Sequence, residues 1–403
     1  MGLTISEKII ASHAGLDRVA PGEIHEVPVD LLYLHDNNGP IAIQQFELIP
    51  GATVWDPSRV RFILDHHAPA TTFRAAGHHQ TIRAFAEKHG IPVFDVGRGV
   101  SHAVMLEEGL AGPGQIVLGT DSHTVGLGVL GCLATGIGST EAAAVLYTGR
   151  IWLMVPETIR VVLEGALAPG VYPRDVALLL LRHFGPSFLN YLALEFTGGF
   201  VEGLDREARM AITTMCLEMG VKNALMPVPV AGAPRADADA RYASTVNFDV
   251  GGLGPMVATP GLPTNGVPVA EVAGTPIQQA TLGSCAGAYY PDLVAAAEVL
   301  RGGHVAPGVR FVIVPNSSRV VERAARSGIL AELVAAGAIV SSPACGTCAS
   351  YEVGCLAPGE TCVSTTTRNM EGRMGPGGRV YLASAATVAA SALRGAIADP
   401  RSP

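Results

Sequence analysis

Ala338-Ile339-Val340-Ser341-Ser342-Pro343-Ala344-Cys345-Gly346-Thr347-Cys348 reads as a short apolar strand that stops in a loop carrying two cysteines. Residues placed directly after an apolar strand lie at the carboxyl end of a sheet, where α/β proteins bind their ligands. Two residues between the cysteines allow a tight turn that brings both thiolates to one metal centre. Further on, Arg368-Asn369-Met370-Glu371-Gly372-Arg373 adds two guanidinium groups. A third cysteine, Cys285, sits in Gly283-Ser284-Cys285-Ala286-Gly287, a small-residue loop whose backbone can approach a bulky cofactor closely. Any one of these cysteines alone reads better as a buried apolar residue. The three together, in Gly/Pro-rich loops, read as ligands of a metal or cluster with one position open, as catalytic sites require.

The same strand-then-polar-loop pattern recurs upstream. Val60-Arg61-Phe62-Ile63-Leu64 ends at Asp65-His66-His67-Ala68-Pro69, residues 92–96 run toward Ser101-His102, and residues 115–118 run toward Asp121-Ser122-His123. A lone histidine is commonly a surface or core residue, but three at strand ends, two of them beside an aspartate, point to acid–base chemistry. Residues 24–32 alternate as a strand and lead to Leu34-His35-Asp36-Asn37-Asn38-Gly39-Pro40, a turn-rich loop with polar groups for a site. Gly126-Leu127-Gly128-Val129-Leu130-Gly131 has the spacing of a dinucleotide fingerprint. No acidic ribose-binding residue closes a βαβ unit after it, so the glycines read as sites of close helix packing.

Elsewhere, Thr4-Ile5-Ser6-Glu7 predicts a capping box and a short first helix. Residues 157–163 read as a strand, 175–184 as a buried helix, 206–220 as a helix carrying Glu218, 227–240 as an exposed loop and the proline-rich 255–268 as a linker. Strands at 277–282 and 309–314 alternate with helices at 291–300 and 319–327. The most apolar tract, 380–398, includes Arg394 and much Ala and Ser, and predicts a packed helix rather than a membrane span. This alternation gives an α/β class with mainly parallel sheets, divided as three α/β/α domains at 1–156, 157–265 and 266–403.

Composition narrows the function. A chain of 403 residues, 48% hydrophobic and 15% charged, is compact and too long for one ordinary core. With a net charge of −8 and no Lys/Arg run, neither nucleic acid nor an anionic membrane is an expected partner. Seven cysteines are too few for a disulfide scaffold, and their odd number fits a reducing compartment, the cytoplasm. The N-terminus has no basic region followed by an apolar stretch, so no secretory signal is expected.

The segment from Ser342 to Cys348, followed by Gly359-Glu360-Thr361-Cys362-Val363-Ser364-Thr365-Thr366-Thr367 and the Arg368 and Arg373 motif, resembles the cluster-binding region of the aconitase superfamily. Its closest look is to the large subunits of 3-isopropylmalate dehydratase and homoaconitase. Leu118-Gly119-Thr120-Asp121-Ser122-His123-Thr124, Leu133-Ala134-Thr135-Gly136-Ile137-Gly138-Ser139-Thr140-Glu141 and Gly283-Ser284-Cys285 are similar to further family signatures, in family order from Glu7 onward.

The resemblance implies three α/β domains around a central iron–sulfur site, and a hydro-lyase that dehydrates and rehydrates a 2-hydroxy di- or tricarboxylate. It implies that Cys285, Cys345 and Cys348 hold a 4Fe-4S cluster with one iron not ligated by protein, while Cys132, Cys216, Cys355 and Cys362 are structural. Asp65 with His66, His102 with Asp121 and His123 with Glu218 match the family's carboxylate–histidine pairs, His66 assisting departure of the hydroxyl. Ser122, Arg368 and Arg373 match positions that receive substrate carboxylates. In single-chain relatives a swivelling domain supplies a serine base; the sequence stops at Pro403 before such a domain, so a separate small subunit is the implied partner.

Three positions depart from the family pattern: Gly287, Thr214 and Thr367 stand where asparagines are usual. Competing readings are a hydratase for another hydroxy acid, of maleate, dimethylmalate or homoaconitate type, and a non-catalytic structural or regulatory homologue.

Overall fold

A computed structural model describes residues 2–349 and 353–402. The predicted capping box is formed: the Thr4 side chain accepts from the Glu7 N–H, the Glu7 carboxylate accepts from the Thr4 N–H at 2.7 Å, and the helix runs Ile5–Ala14. Gly15, at φ 68°, ends it. The Ile5 N–H donates at 2.5 Å to Glu195, so this helix is clipped to a strand far along the chain.

Three sheets carry the architecture. The first, in the order Val93–Phe94, Val60–Ile63, Leu31–His35, Ile116–Gly119, Leu133–Gly136, is entirely parallel. The second, in the order Asn223–Leu225, Ala193–Thr197, Thr158–Glu164, Ser244–Asp249, is parallel too. The third has seven strands in the order Gly266–Pro268, Met256–Ala258, Arg379–Ala383, Thr361–Ser364, Gln279–Leu282, Arg310–Ile313, Ala338–Val340, with the last five parallel. Central strands such as Leu31–His35 are buried along their whole length, as parallel strands covered on both faces must be. The expected mixed α/β class with mainly parallel sheets is therefore the observed one.

Four local expectations need correction. Residues 24–32 are two strands, Ile24–Pro28 and Leu31–His35; the first leaves the main sheet to pair antiparallel with Arg150–Met154. Residues 255–268 are no linker: Met256–Ala258 and Gly266–Pro268 pair with each other and extend the third sheet, and Asp175 accepts the Met256 N–H at 2.8 Å. Residues 380–398 begin as the strand Arg379–Ala383 and only then form the helix Ala385–Arg394, the alanine-rich run having masked the boundary at Ser384. The helix starting at Arg206 stops at Met215, and Glu218 lies on a following 3-10 turn, Cys216–Met219.

The glycines after His123 do serve close packing. They belong to a 3-10 helix, Ser122–Leu130, seated against the helix Arg206–Met215. A Cβ on Gly126 would lie 2.4 Å from the Thr214 hydroxyl, and one on Gly128 only 1.9 Å from the Ala224 carbonyl oxygen.

The carboxyl ends of the first and third sheets meet. Cys345 N–H donates to the Asp65 carbonyl at 2.8 Å, Val100 N–H to the Asn316 carbonyl at 2.7 Å and Ser318 N–H to the Arg98 carbonyl at 3.0 Å. The segments after seven strands, four of the first sheet and three of the third, thereby open into one cleft.

Candidate active site

The strand Leu31–His35 delivers Asp36 to the floor of the cleft, fully buried. Its carboxylate accepts the backbone N–H groups of Asp65 (3.1 Å), His66 (2.8 Å) and His67 (2.8 Å) and pairs with His79 Nε2 at 2.9 Å. Burial pushes this carboxyl up, but His79, the charge of His66 and the backbone N–H groups of His66 and His67 hold it well below the usual range. The turn that presents His66 is thus built on a buried carboxylate.

His66 lies between two carboxylates: Nδ1 is 2.7 Å from Asp65 and Nε2 is 3.2 Å from Asp121. The other Asp65 oxygen accepts the Ser101 N–H at 2.6 Å, fixing the start of the helix Ser101–Glu107 that carries His102. Burial disfavours a charged His66, yet the Asp65 charge and the bonds to Asp121 and Asp65 raise its pKa well above the ordinary histidine value. The His35 ring stacks on it at 4.0 Å, and burial together with the His66 charge lowers His35 to about 4. A charged imidazole therefore lies against a neutral one.

Asp121 is a hub. Besides His66 it faces His102 Nε2 at 3.4 Å and His123 Nδ1 at 3.6 Å. Burial would raise its carboxyl, but His102, His123 and His66 hold it well below the usual range. His102 also meets the Tyr33 hydroxyl at 3.3 Å. His123 Nε2 is 2.9 Å from Glu218, whose same oxygen takes Arg368 Nε at 2.8 Å, while the other end of that guanidinium donates to the Ser122 hydroxyl at 3.2 Å. Arg373 donates to the Cys348 carbonyl at 2.8 Å and reaches its sulfur at 3.7 Å.

The sequence-predicted residues His66, His102, Asp121, Ser122, His123, Cys285, Cys345, Cys348, Arg368 and Arg373 all line one cavity of about 200 Å³; Asp65 and Glu218 stand directly behind it. His35, Asp36 and Tyr33 belong to the same network without having been singled out. The signal for His35 and Asp36 was the polar loop after residue 34, recognised as a site loop but with no partner in sequence to fix a role; Tyr33, inside the strand Leu31–His35, had none.

The three thiols suit a cluster. All are buried; Cys345 hydrogen-bonds Cys348, which makes Cys348 the more acidic of the pair, with Arg373, the Thr367 hydroxyl at 3.6 Å and His123 reinforcing the effect. Among the described residues the one group of donors drawn within 4.8 Å of each other is His35, Asp36, Asp65 and His66, whose shared carboxylate is already saturated with donors. The three cysteine sulfurs do not form such a group among the described residues. Cys132, Cys216 and Cys362 are buried away from the cavity and Cys355 is exposed.

Residues 7–231 and 270–395 match the Aconitase family (aconitate hydratase). The chain belongs to the aconitase family. Within it, the 3-isopropylmalate dehydratase large subunit 1 of Methanopyrus kandleri is 43% identical, the alignment spanning 100% of this chain and 99% of the relative. The probable methanogen homoaconitase large subunit of Methanothermobacter thermautotrophicus is 41% identical over 99% of this chain and 98% of its own. The aconitase X structure of Thermococcus kodakaraensis, at 14% identity and a TM-score of 0.53, covers 85% of this chain and 84% of its own and shares the fold. No helix among the described residues is long and apolar enough to cross a membrane.

Proposed function

We propose that this aconitase-family chain is the large subunit of an iron–sulfur hydro-lyase of 3-isopropylmalate dehydratase type, which moves a hydroxyl between neighbouring carbons of a 2-hydroxy di- or tricarboxylate. The observation that carries it is His66, bracketed by Asp65 and Asp121 in the cavity that also receives three thiols and two guanidinium groups. Cys285, Cys345 and Cys348 would hold a 4Fe-4S cluster, which supplies a Lewis-acidic iron, unligated by protein, to polarise the hydroxyl and its neighbouring carboxylate. His66 donates its Nε2 proton to the departing hydroxyl, and Asp65 keeps the ring oriented through Nδ1. Asp121, spread over three imidazoles, keeps them mutually aligned. Arg373 and Arg368 neutralise substrate carboxylates, and Ser122 adds a hydroxyl contact; substrate entry draws Arg368 from its resting bonds to Glu218 and Ser122.

Carbanion formation beside a carboxylate needs a base, and the proposed partner is a separate small subunit whose serine supplies it, with the complex working in the cytoplasm. The domain division at 156/157 and 265/266 is part of the proposal; its first boundary falls between the first two sheets, while its second separates Met256–Ala258 from the rest of the third sheet.

The test is anaerobic purification with the matching small subunit, then iron, sulfide and turnover of 3-isopropylmalate. About four irons and four sulfides per chain, lost in Cys285→Ser, Cys345→Ser and Cys348→Ser, are expected; a reconstituted chain without iron refutes the reading. Because the homoaconitase relative is almost as similar as the dehydratase, homocitrate is the second substrate to assay.

A further inference from the structure

Arg174 is a buried guanidinium with unused hydrogen-bonding capacity. It lies in the first turn of the helix Pro173–Phe184, 4% exposed. Among the described residues its hydrogen bonding is limited to NH2 donating to the Thr366 carbonyl, and Nε and NH1 have no partner. A buried guanidinium with unused N–H groups carries a desolvation cost that proteins avoid unless another group completes it. No carboxylate is within ion-pairing distance among the described residues, and Asp292, the strongest opposing influence, is itself pushed up to about 6 by burial. Cys285 and Cys348 are the next groups acting on the Arg174 charge after Asp292, along with Asp175. Burial lowers its pKa to about 10, which still leaves it cationic at neutral pH.

The surroundings explain what is missing. Thr366, held by Arg174, precedes Thr367, whose hydroxyl touches Cys348, and Arg368. Gly287 has no room for a side chain, since a Cβ there would lie 2.5 Å from the Thr365 hydroxyl, and among the described residues the Thr214 hydroxyl has no partner. The three positions where an amide is expected thus offer no amide donor.

We propose that Arg174 is the counter-charge of the cluster: a positioning residue that anchors the 365–368 segment through the Thr366 carbonyl and sets a fixed positive charge behind the thiols of Cys285, Cys345 and Cys348. This rests on the cluster reading above. A fixed positive charge favours the more negative, reduced form of a cluster and so raises its reduction potential.

The experiment is a redox titration with dithionite of the loaded full-length chain, followed by its paramagnetic signal, for wild type, Arg174→Lys, Arg174→Gln and Arg174→Met. The expected result is a potential shifted down in the two neutral variants and kept near wild type in Arg174→Lys. Loss of cluster from both neutral variants with retention by Arg174→Lys also supports a charge role. An unshifted potential in Arg174→Met at full iron content overturns it, as does Arg174→Gln behaving as wild type while Arg174→Lys loses the cluster. Wild-type chain that takes up no cluster removes the underlying reading as well, which a wild-type potential with unmoved variants does not.

Discussion

His66 shows how much of its chemistry a side chain takes from its neighbours. Exchanging it for glutamine keeps a polar group of similar reach but removes the donated proton, so His66→Gln should lose about 10²–10⁴-fold in turnover number with iron content unchanged. Comparing turnover with iron analysis on the same preparation checks this. Asp36 is the opposite type of residue, touching no substrate position yet accepting three backbone N–H groups and His79. Asp36→Ala leaves these donors buried and unpaired and should cost about 3–5 kcal/mol in urea unfolding. The two differ in legibility for a physical reason. The Asp65–His66 and Asp121–His123 juxtapositions are local, and strand-end spacing exposes them. Asp36 acts on residues 65–67 and His79, which no one-dimensional pattern connects to it; Tyr33 and Arg174 are hidden in the same way.

Among elements, the 3-10 helix Ser122–Leu130 is the most tightly constrained, because backbone rather than side chains sets its distance from its neighbours. Gly128→Ala would push a methyl group into the Ala224 carbonyl and so displace the strand Asn223–Leu225. A loss of about 1–3 kcal/mol is expected, seen as a lower thermal midpoint. Strands that end in reactive loops were readable from sequence because apolar runs break sharply at Asp, His or Cys. The longest helix, Phe73–His89, was not: only Ala75, His79, Ile82, Phe85 and Ala86 face inward, two of them alanine and one histidine, so its stripe is faint. Its ends were nonetheless marked by the Thr72 cap and by Gly90 at φ 69°. Residues 255–268 misled because proline tolerates an edge strand as readily as a linker.

At the scale of the whole molecule, pH acts through buried acids that tie the sheets together. Glu195 receives the Ile5 N–H and the Tyr242 hydroxyl, and burial raises it to about 7 from an ordinary 4.5. The folded chain then holds a proton that the unfolded chain releases, so this contribution is complete below pH 4.5 and disappears as pH rises through about 7. It amounts to on the order of 3 kcal/mol. Glu195→Gln should flatten the dependence, measured as the difference in urea midpoint between pH 5 and pH 8. The raised histidines His66 and His123 act in the same direction, losing their contribution as pH climbs through their folded values. The parallel α/β plan was legible in the alternation of strands and helices, while the pairing of the first helix with Glu195 was not, being a contact across most of the first half of the chain. The strand order of the third sheet has one more consequence. Thr361–Ser364 lies between Gln279–Leu282 and Arg379–Ala383, so the loop of Cys285 and the loop of Cys345 and Cys348 gain their final backing only when late-synthesised segments arrive. On the proposed cluster reading, the nascent protein has thiols but no finished socket until residues 361–383 emerge, and chains arrested before residue 361 should retain no iron.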